Sequence, residues 1–156
     1  MKYKGKKLTG RNSDILVLPR GNDRIVFKAE AIDSYDEFNK LCPQPTIPTK
    51  MLPGGIKEPN AADPTYRTNL TIYGKKKLDF CILKSLAPTT DLEWERVDMQ
   101  KPDTWHLYID ELKESNISEN EISRIIDLCL RVNSLDDDML KQAREDFLAE
   151  APPQEA

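Results

Sequence analysis

A chain of 156 residues with 38% apolar and 32% charged side chains and a net charge of −4 suits one ordinary domain or two small subdomains. It is long enough to bury a core without disulfide or metal staples, it lacks the ~20-residue apolar run of a membrane span, and its acidity argues against general nucleic-acid binding. The charge is uneven: residues 1–30 carry eight Lys/Arg against three Asp/Glu, and residues 103–150 carry five against thirteen. The two ends are suited to attract each other or two different partners, or else the charges simply solvate surface faces.

The N-terminal "MKYKGKKLTG" has positive charge but no apolar run behind it, so no signal peptide is expected. Residues 3–8 suit an edge strand that turns its lysines to solvent. "DILVLP" (Asp14–Pro19) is a short apolar run. In "RIVFKAEAI" (Arg24–Ile32), Ile25, Phe27, Ala29 and Ala31 alternate with polar residues, the period of a half-buried strand. "RGND" between them predicts a hairpin. Ser34 and Glu37 have capping-box spacing, and Tyr35, Phe38 and Leu41 share one face of the short helix that follows.

From Cys42 to Asn60, five prolines and a Gly-Gly exclude a regular helix or a central strand. This stretch reads as a surface loop or as a polyproline-like, partner-binding arm. Asp63-Pro64 then has the chemistry of an N-cap and first helical residue. A long helix is predicted to about Leu86, with Tyr66, Leu70, Tyr73, Phe80/Cys81 and Lys84 on one stripe. After an extended linker holding Trp94, Pro102 opens a helix whose Trp105, Tyr108, Ile109 and Leu112 follow helical spacing, ending at Asn116. Ser118 and Glu121 predict another capping box, Ile122–Val132 another stripe, and Asn133 a left-handed stop. Ser134 with Asp137 is read as the start of a last helix with Leu135, Met139, Ala143 and Phe147 on its stripe.

The expected fold class is α+β: a small N-terminal antiparallel β-sheet, one long central helix and a C-terminal three-helix array. The chain divides into a hairpin or sheet subdomain with a short helix (1–42), a proline-rich arm or loop (43–62), the long helix (63–87), a linker (88–102), the array (103–150) and a mobile tail (151–156). Trp94 and Trp105 are expected as buried structural anchors. Cys42, Cys81 and Cys129 are odd in number and far apart with no CxxC, which fits reduced thiols and a cytoplasmic location.

Little here carries chemistry. His106 is the only histidine, so no catalytic pair or His-rich metal site is built around it. Asp136-Asp137-Asp138 lacks calcium-loop spacing and reads as first-turn acids that offset a helix dipole. No phosphate loop, dinucleotide fingerprint or nucleophile elbow is present, and "KGKK" and "GKKK" lack interleaved aromatics. No enzyme, cofactor or metal is expected. The candidate partner-binding residues are Ile47, Met51, Leu52 and Ile56 on the arm, with Tyr66, Leu70 and Tyr73 on the flank of the long helix.

The pattern "LEWERVDMQKPDTWHLYIDELKESNISENEISRII…VNSLDDDMLKQAREDFL" resembles small morphogenesis proteins of tailed bacteriophages, in particular the tail assembly chaperones. The residues that carry the likeness are Trp94 with Val97-Asp98, Pro102 with Thr104-Trp105, Glu111-Leu112, the Ser118/Glu121-Ile122 helix start, and Asn133-Ser134-Leu135 before Phe147-Leu148. "GKKLTGRN…VLPRG…IVFKAEAI", "LCPQP" and "PGG" are similar in kind. The resemblance implies a non-enzymatic virion-assembly protein that binds phage tail or head proteins, or copies of itself, in the host cytoplasm, without nucleic acid or membrane. A structural virion component, as in head completion, head decoration or the tail, is the alternative it leaves, and an enzyme is the remote one.

Overall fold

The computed structural model describes residues 1–150; the expected mobile tail, 151–156, lies outside the described residues. The fold is α+β, and its strands pair as three separate antiparallel hairpins. β1 (Lys2–Tyr3) pairs with β2 (Lys6–Lys7), β3 (Ser13–Arg20) with β4 (Asp23–Glu30), and β5 (Thr49–Met51) with β6 (Lys57–Pro59). The helices are α1 (Asp36–Leu41), α2 (Pro64–Leu86), a 3₁₀ turn (Pro102–Leu107) running into α3 (Tyr108–Glu114), α4 (Glu119–Val132) and α5 (Asp137–Glu150).

The chain forms two compact units, each built from discontinuous segments. The first takes Met1–Asp33, Lys84–Leu92 and the chain from Ile117; the second takes Ser34–Leu83 and Glu93–Asn116. The three C-terminal helices expected as one array are therefore shared out. Trp105 and Tyr108 join an aromatic core in the second unit, whereas the stripe of α4 is spent on the β3–β4 hairpin in the first.

In the first unit, β3 and β4 pair over their full length across a two-residue loop, and Gly21 takes φ +59 at the loop's first position, as a type II′ turn requires. The alternation read from the sequence holds: Phe27 and Ala29 of β4 are buried with Leu18 of β3. They meet α4, whose Ile122, Ile125, Leu128, Cys129 and Val132 are buried. Two contacts fix α4 along β3: Arg20 pairs with Glu121 at 2.8 Å, and Asn12 Nδ2 donates to the Val132 carbonyl at 3.3 Å. The Ser118–Glu121 capping box starts α4 as the sequence predicts.

The end of α4 differs from expectation. Asn133 keeps φ −87, and Ser134 takes the left-handed position at φ +58. The reason is the work given to the Asn133 side chain. Its Oδ1 accepts from the Ile32 amide at 2.9 Å, and its Nδ2 donates to Ser85 Oγ and to the Cys129 carbonyl, each at 2.7 Å. Ser134, displaced from capping, leaves that role to Asp136, whose Oδ1 accepts from the Met139 amide at 3.1 Å.

In the second unit, Phe38, Phe80 and Trp105 meet with ring centroids 5.4–6.0 Å apart, and Tyr73 and Tyr35 flank them. Trp105 is fully buried, as expected; Trp94 is only half-buried, with its ring edge-on to Tyr108 at 6.3 Å. The linker carrying Trp94 is held through its backbone. The buried Glu111 carboxylate accepts from the amides of Glu95 at 2.6 Å, Val97 at 3.3 Å and Arg96 at 3.4 Å. Asn116 ends α3 at φ +62, as read from the sequence.

Three further local expectations are corrected. β1 and β2 form their own exposed hairpin rather than an edge of the β3–β4 sheet, because Lys4 and Gly5, at φ +49 and +78, supply a tight turn. Ser34 does not cap α1; its Oγ accepts from the Asp36 amide at 3.3 Å and Tyr35 is the N-cap, without a side-chain cap bond. The proline-rich arm contains β5 and β6 rather than a polyproline segment. Pro59 is tolerated because a two-stranded hairpin has only edge strands.

Two substitutions test the two cores. Trp105→Ala should lower unfolding free energy by about 3–5 kcal/mol, read from urea midpoints. Asn133→Ala should cost about 1–3 kcal/mol, because the Ile32 amide and the Ser85 hydroxyl lose their bonds to the side chain, while the Cys129 carbonyl keeps the Asn133 backbone amide at 3.3 Å, and hydrogen exchange at the Ile32 amide should accelerate with it.

Candidate partner-binding surface

The arm and the first part of α2 carry the exposed large apolar side chains of the second unit: Ile47, Met51 and Ile56 on the arm, Leu70, Ile72 and Leu78 on the helix. Residues 52–56 form its tip. Leu52 N–H donates to the Ile56 carbonyl at 2.7 Å, and Gly54 and Gly55 take φ +88 and +77, which a residue with a Cβ rarely adopts. Lys50 pairs with Glu58 across the strands at 2.9 Å, and the Asn60 amide closes the base on the Pro48 carbonyl at 2.7 Å. Met51 and Ile56 are 68% and 62% exposed, Ile47 is exposed, and Leu52 is half-buried.

The α2 residues behave differently from one another. Asp63 Oδ1 accepts from the Tyr66 amide at 2.8 Å and starts the helix, with Pro64 next to it, as the sequence predicts. Tyr66 is half-buried and Leu70 exposed. Tyr73 is half-buried with its ring 5.3 Å from Phe38, so it belongs in part to the aromatic core.

Of the seven residues named from the sequence, Tyr73 lines a groove of about 350 Å³ in this unit, with Leu41, Cys42, Pro43, Pro45 and Ile72 among its neighbours. Lys76 and Asp103, paired at 2.9 Å, stand at its rim. Sequence reasoning missed Ile72, while Pro43 and Pro45 fall within the stretch read as the arm. The stripe through Tyr66, Leu70 and Tyr73 assumes one buried helix face, but α2 is exposed on most sides along its first two thirds and buried on all sides near its end.

Cys42, Asp103 and Tyr35 of this unit are shifted by their surroundings. Burial pushes the Cys42 thiol up and Asp103 adds to this, against an opposing pull from Lys76, so the thiol is held protonated. The fully exposed Asp103 is lowered by its bond to Lys76. Tyr35 is pushed well above the ordinary phenol range by burial and by its contact with Cys81. Cys42, Cys81 and Cys129 are all thiols, each buried. Among the described residues no three His, Cys, Asp or Glu side chains gather as metal ligands, and no helix is long and apolar enough to cross a membrane.

Comparison with protein-family models, with curated proteins and with solved structures finds no match for this chain. The surface is therefore read from its own residues. It offers apolar side chains on a tight hairpin and a shallow groove edged by one ion pair, which suits contact with another protein better than enclosure of a small molecule.

One buried carboxylate below this surface sets a pH dependence. Asp79 is buried on α2; burial raises its pKa above 3.8, and Lys75 Nζ at 3.4 Å, then His106, oppose the rise. The fold therefore favours the protonated acid. Its stabilising contribution is full below pH 3.8 and is lost as pH rises through the raised folded value. Asp79→Asn should thus be more stable than the parent at neutral pH, with the gap closing below pH 3.8, in urea titrations at the two pH values.

Proposed function

We propose that this chain is a non-enzymatic assembly protein of tailed bacteriophages, similar in role to the tail assembly chaperones, which binds other tail proteins in the host cytoplasm during morphogenesis. The observation that carries the reading is the arm. Ile47, Met51 and Ile56 are displayed to solvent on a hairpin whose base is closed by the Asn60–Pro48 backbone bond. Apolar side chains on a pre-formed turn lose little freedom on binding, so they favour association over a loop that must first be ordered. The resemblance, carried mainly by the pattern from Leu92 to Leu148, supplies the class of partner, and the arm supplies the surface. The eight basic residues within 1–30 would steer acidic partners.

A virion component would need the same surface, and location separates the two roles. Mass spectrometry of purified particles should find the chain absent or far below stoichiometric amounts, while infected cells contain it. Stoichiometric presence would assign it to the particle instead.

The arm itself is tested by replacing residues 49–59 with two glycines, since Pro48 and Asn60 already touch. Shortening a surface loop changes closure entropy by only about 0.6 kcal/mol per twofold change in length, so the melting curve should hardly move. Co-purification with a co-expressed tail protein should be lost. Retention of the partner by this variant would move the contact to the groove around Ile72 and Tyr73.

A further inference from the structure

Along the outer edges of the β3–β4 hairpin, the backbone groups of Lys28 on β4 are covered and those of Val17 on β3 are not. On the β4 side, Thr89 Oγ1 accepts from the Lys28 amide at 3.0 Å and donates to the Lys28 carbonyl at 2.9 Å. One hydroxyl thus does for Lys28 what a neighbouring strand would do. This contact also sets the pattern of the ladder. A residue's N–H and C=O point to the same side in an antiparallel pair, and the side alternates along the strand. Lys28 points away from β3, so its opposite residue, Ile15, points away from β4. Ladder bonds then fall at Asp14/Ala29, Leu16/Phe27 and Leu18/Ile25, in phase with the bond from the Ala31 amide to the Asn12 carbonyl at 2.8 Å.

It follows that the N–H and C=O of Val17 and the C=O of Ile15 point outward along β3. The Ile15 amide is held by its neighbour, the Asp14 carboxylate, at 2.8 Å. Among the described residues no backbone bond from another segment reaches these groups. A groove of about 680 Å³ lies beside Asp14–Leu16, walled on its other sides by Arg124, Leu128 and Arg131 of α4 and by Met139, Ala143 and Asp146 of α5, so there is open space next to this edge. Ile15, Val17 and Val26 are 56%, 48% and 42% exposed on the hairpin's outer face, with Val17 directly opposite Val26. A strand edge that is both open and apolar is a template for another strand.

We infer that β3 pairs antiparallel with β3 of a second copy of this chain, joining two hairpins into one four-stranded sheet. The edge is self-complementary when Leu16 faces Leu16 of the second copy. Ile15 then faces Val17, so each Val17 N–H meets an Ile15 C=O across the twofold axis, and each Val17 C=O is set to take the Ile15 amide from Asp14. In this register Asp14 faces Leu18 and Ser13 faces Pro19, so no like charges oppose one another. Pro19 has no N–H and ends the ladder. On the outer face the row Val26–Val17 continues into Ile15 of the second copy, once on each side of the axis. The contact is made by residues of the first unit, whereas the arm belongs to the second, and it does not rest on the function proposed above.

The test is native mass and amide exchange on the full chain. The parent should show twice its 17.9 kDa mass in light scattering as concentration rises, with the Val17 amide protected from exchange. Val17→Pro removes an N–H that lies outside the β3–β4 ladder, so circular dichroism should be unchanged and the mass should fall to that of one chain. Val17→Lys places a charge on the edge and should have the same effect, which covers the case in which proline perturbs the strand. The variant with residues 49–59 replaced should still dimerise, which separates this contact from the arm. A parent chain monomeric at every concentration, a dimer that survives both Val17 variants, or a dimer with a freely exchanging Val17 amide would each overturn the inference. So would a monomeric parent whose Val17 becomes protected only when another protein binds, because the edge would then belong to that protein.

Discussion

The first unit depends on one side chain. Its three segments, 1–33, 84–92 and the chain from 117, are far apart in sequence, and Asn133 holds a group from each. An amide is suited to this because it donates and accepts at once. Its acceptor takes the Ile32 amide just beyond β4, and its donor reaches Ser85 in the last turn of α2 and the Cys129 carbonyl on α4. Thr89 repeats the device at Lys28 with a hydroxyl. These bonds cost little in solvent and matter most where burial leaves no alternative partner, which is the case for the fully buried Ser85. Hydrophobic contact between α4 and the hairpin supplies most of the stability, but it is not directional. The polar pins select which residues of each segment meet.

α2 shows why burial along a helix need not follow its faces. From Pro64 to Leu78 nearly every residue is at least half-exposed, and from Asp79 to Leu86 every residue but Lys84 is buried. Its apolar content changes along the axis rather than around it. Such a helix has no single stripe to read, because a periodic stripe presupposes one neighbour along the whole length. Leu70, Ile72 and Leu78 are exposed for this reason, and Asp79 lies in the buried end with the partly solvated Lys75 as a salt-bridge partner.

What was legible in the sequence was local. The Asp63-Pro64 start, the Ser118–Glu121 box, Pro102 at its first helical turn and the left-handed Asn116 all depend on residues within one turn, and all stand. So do the β3–β4 hairpin and the burial of Trp105. The misreadings were non-local. Asn133 has the better local claim to the left-handed position, but its side chain is engaged by Ile32, 101 residues away, and Ser134 takes that position instead. Glu111 is given no structural role by the sequence, yet three linker amides make it a buried acceptor. In the candidate site, the exposed apolar residues of the arm were legible from composition. The β5–β6 pairing was not, because five nearby prolines argue against a ladder, although proline is compatible with one where, as here, every strand is an edge. The stripe of α5 was legible as a pattern but buries no residue within the chain.

Where the chain spends side chains on protection, the places left unprotected acquire meaning. Thr89 covers one edge of the β3–β4 hairpin completely at Lys28, so edge protection is within reach of this fold, yet Ile15 and Val17 leave the opposite edge apolar and open. At the N-terminus, Lys2 stands directly opposite Lys7 in a hairpin with no buried residue. Like charges across a pair are unfavourable, and a two-stranded ribbon without a packed face is marginal by itself. An anionic surface nearby would relieve that repulsion and stabilise the ribbon at the same time. The arm adds apolar side chains that contribute nothing to either core. Each of these features lowers the stability or solubility of an isolated chain, and each becomes favourable on contact with another protein surface. Their coexistence on a chain with tightly specified caps and pins is the physical ground for reading it as a component of an assembly.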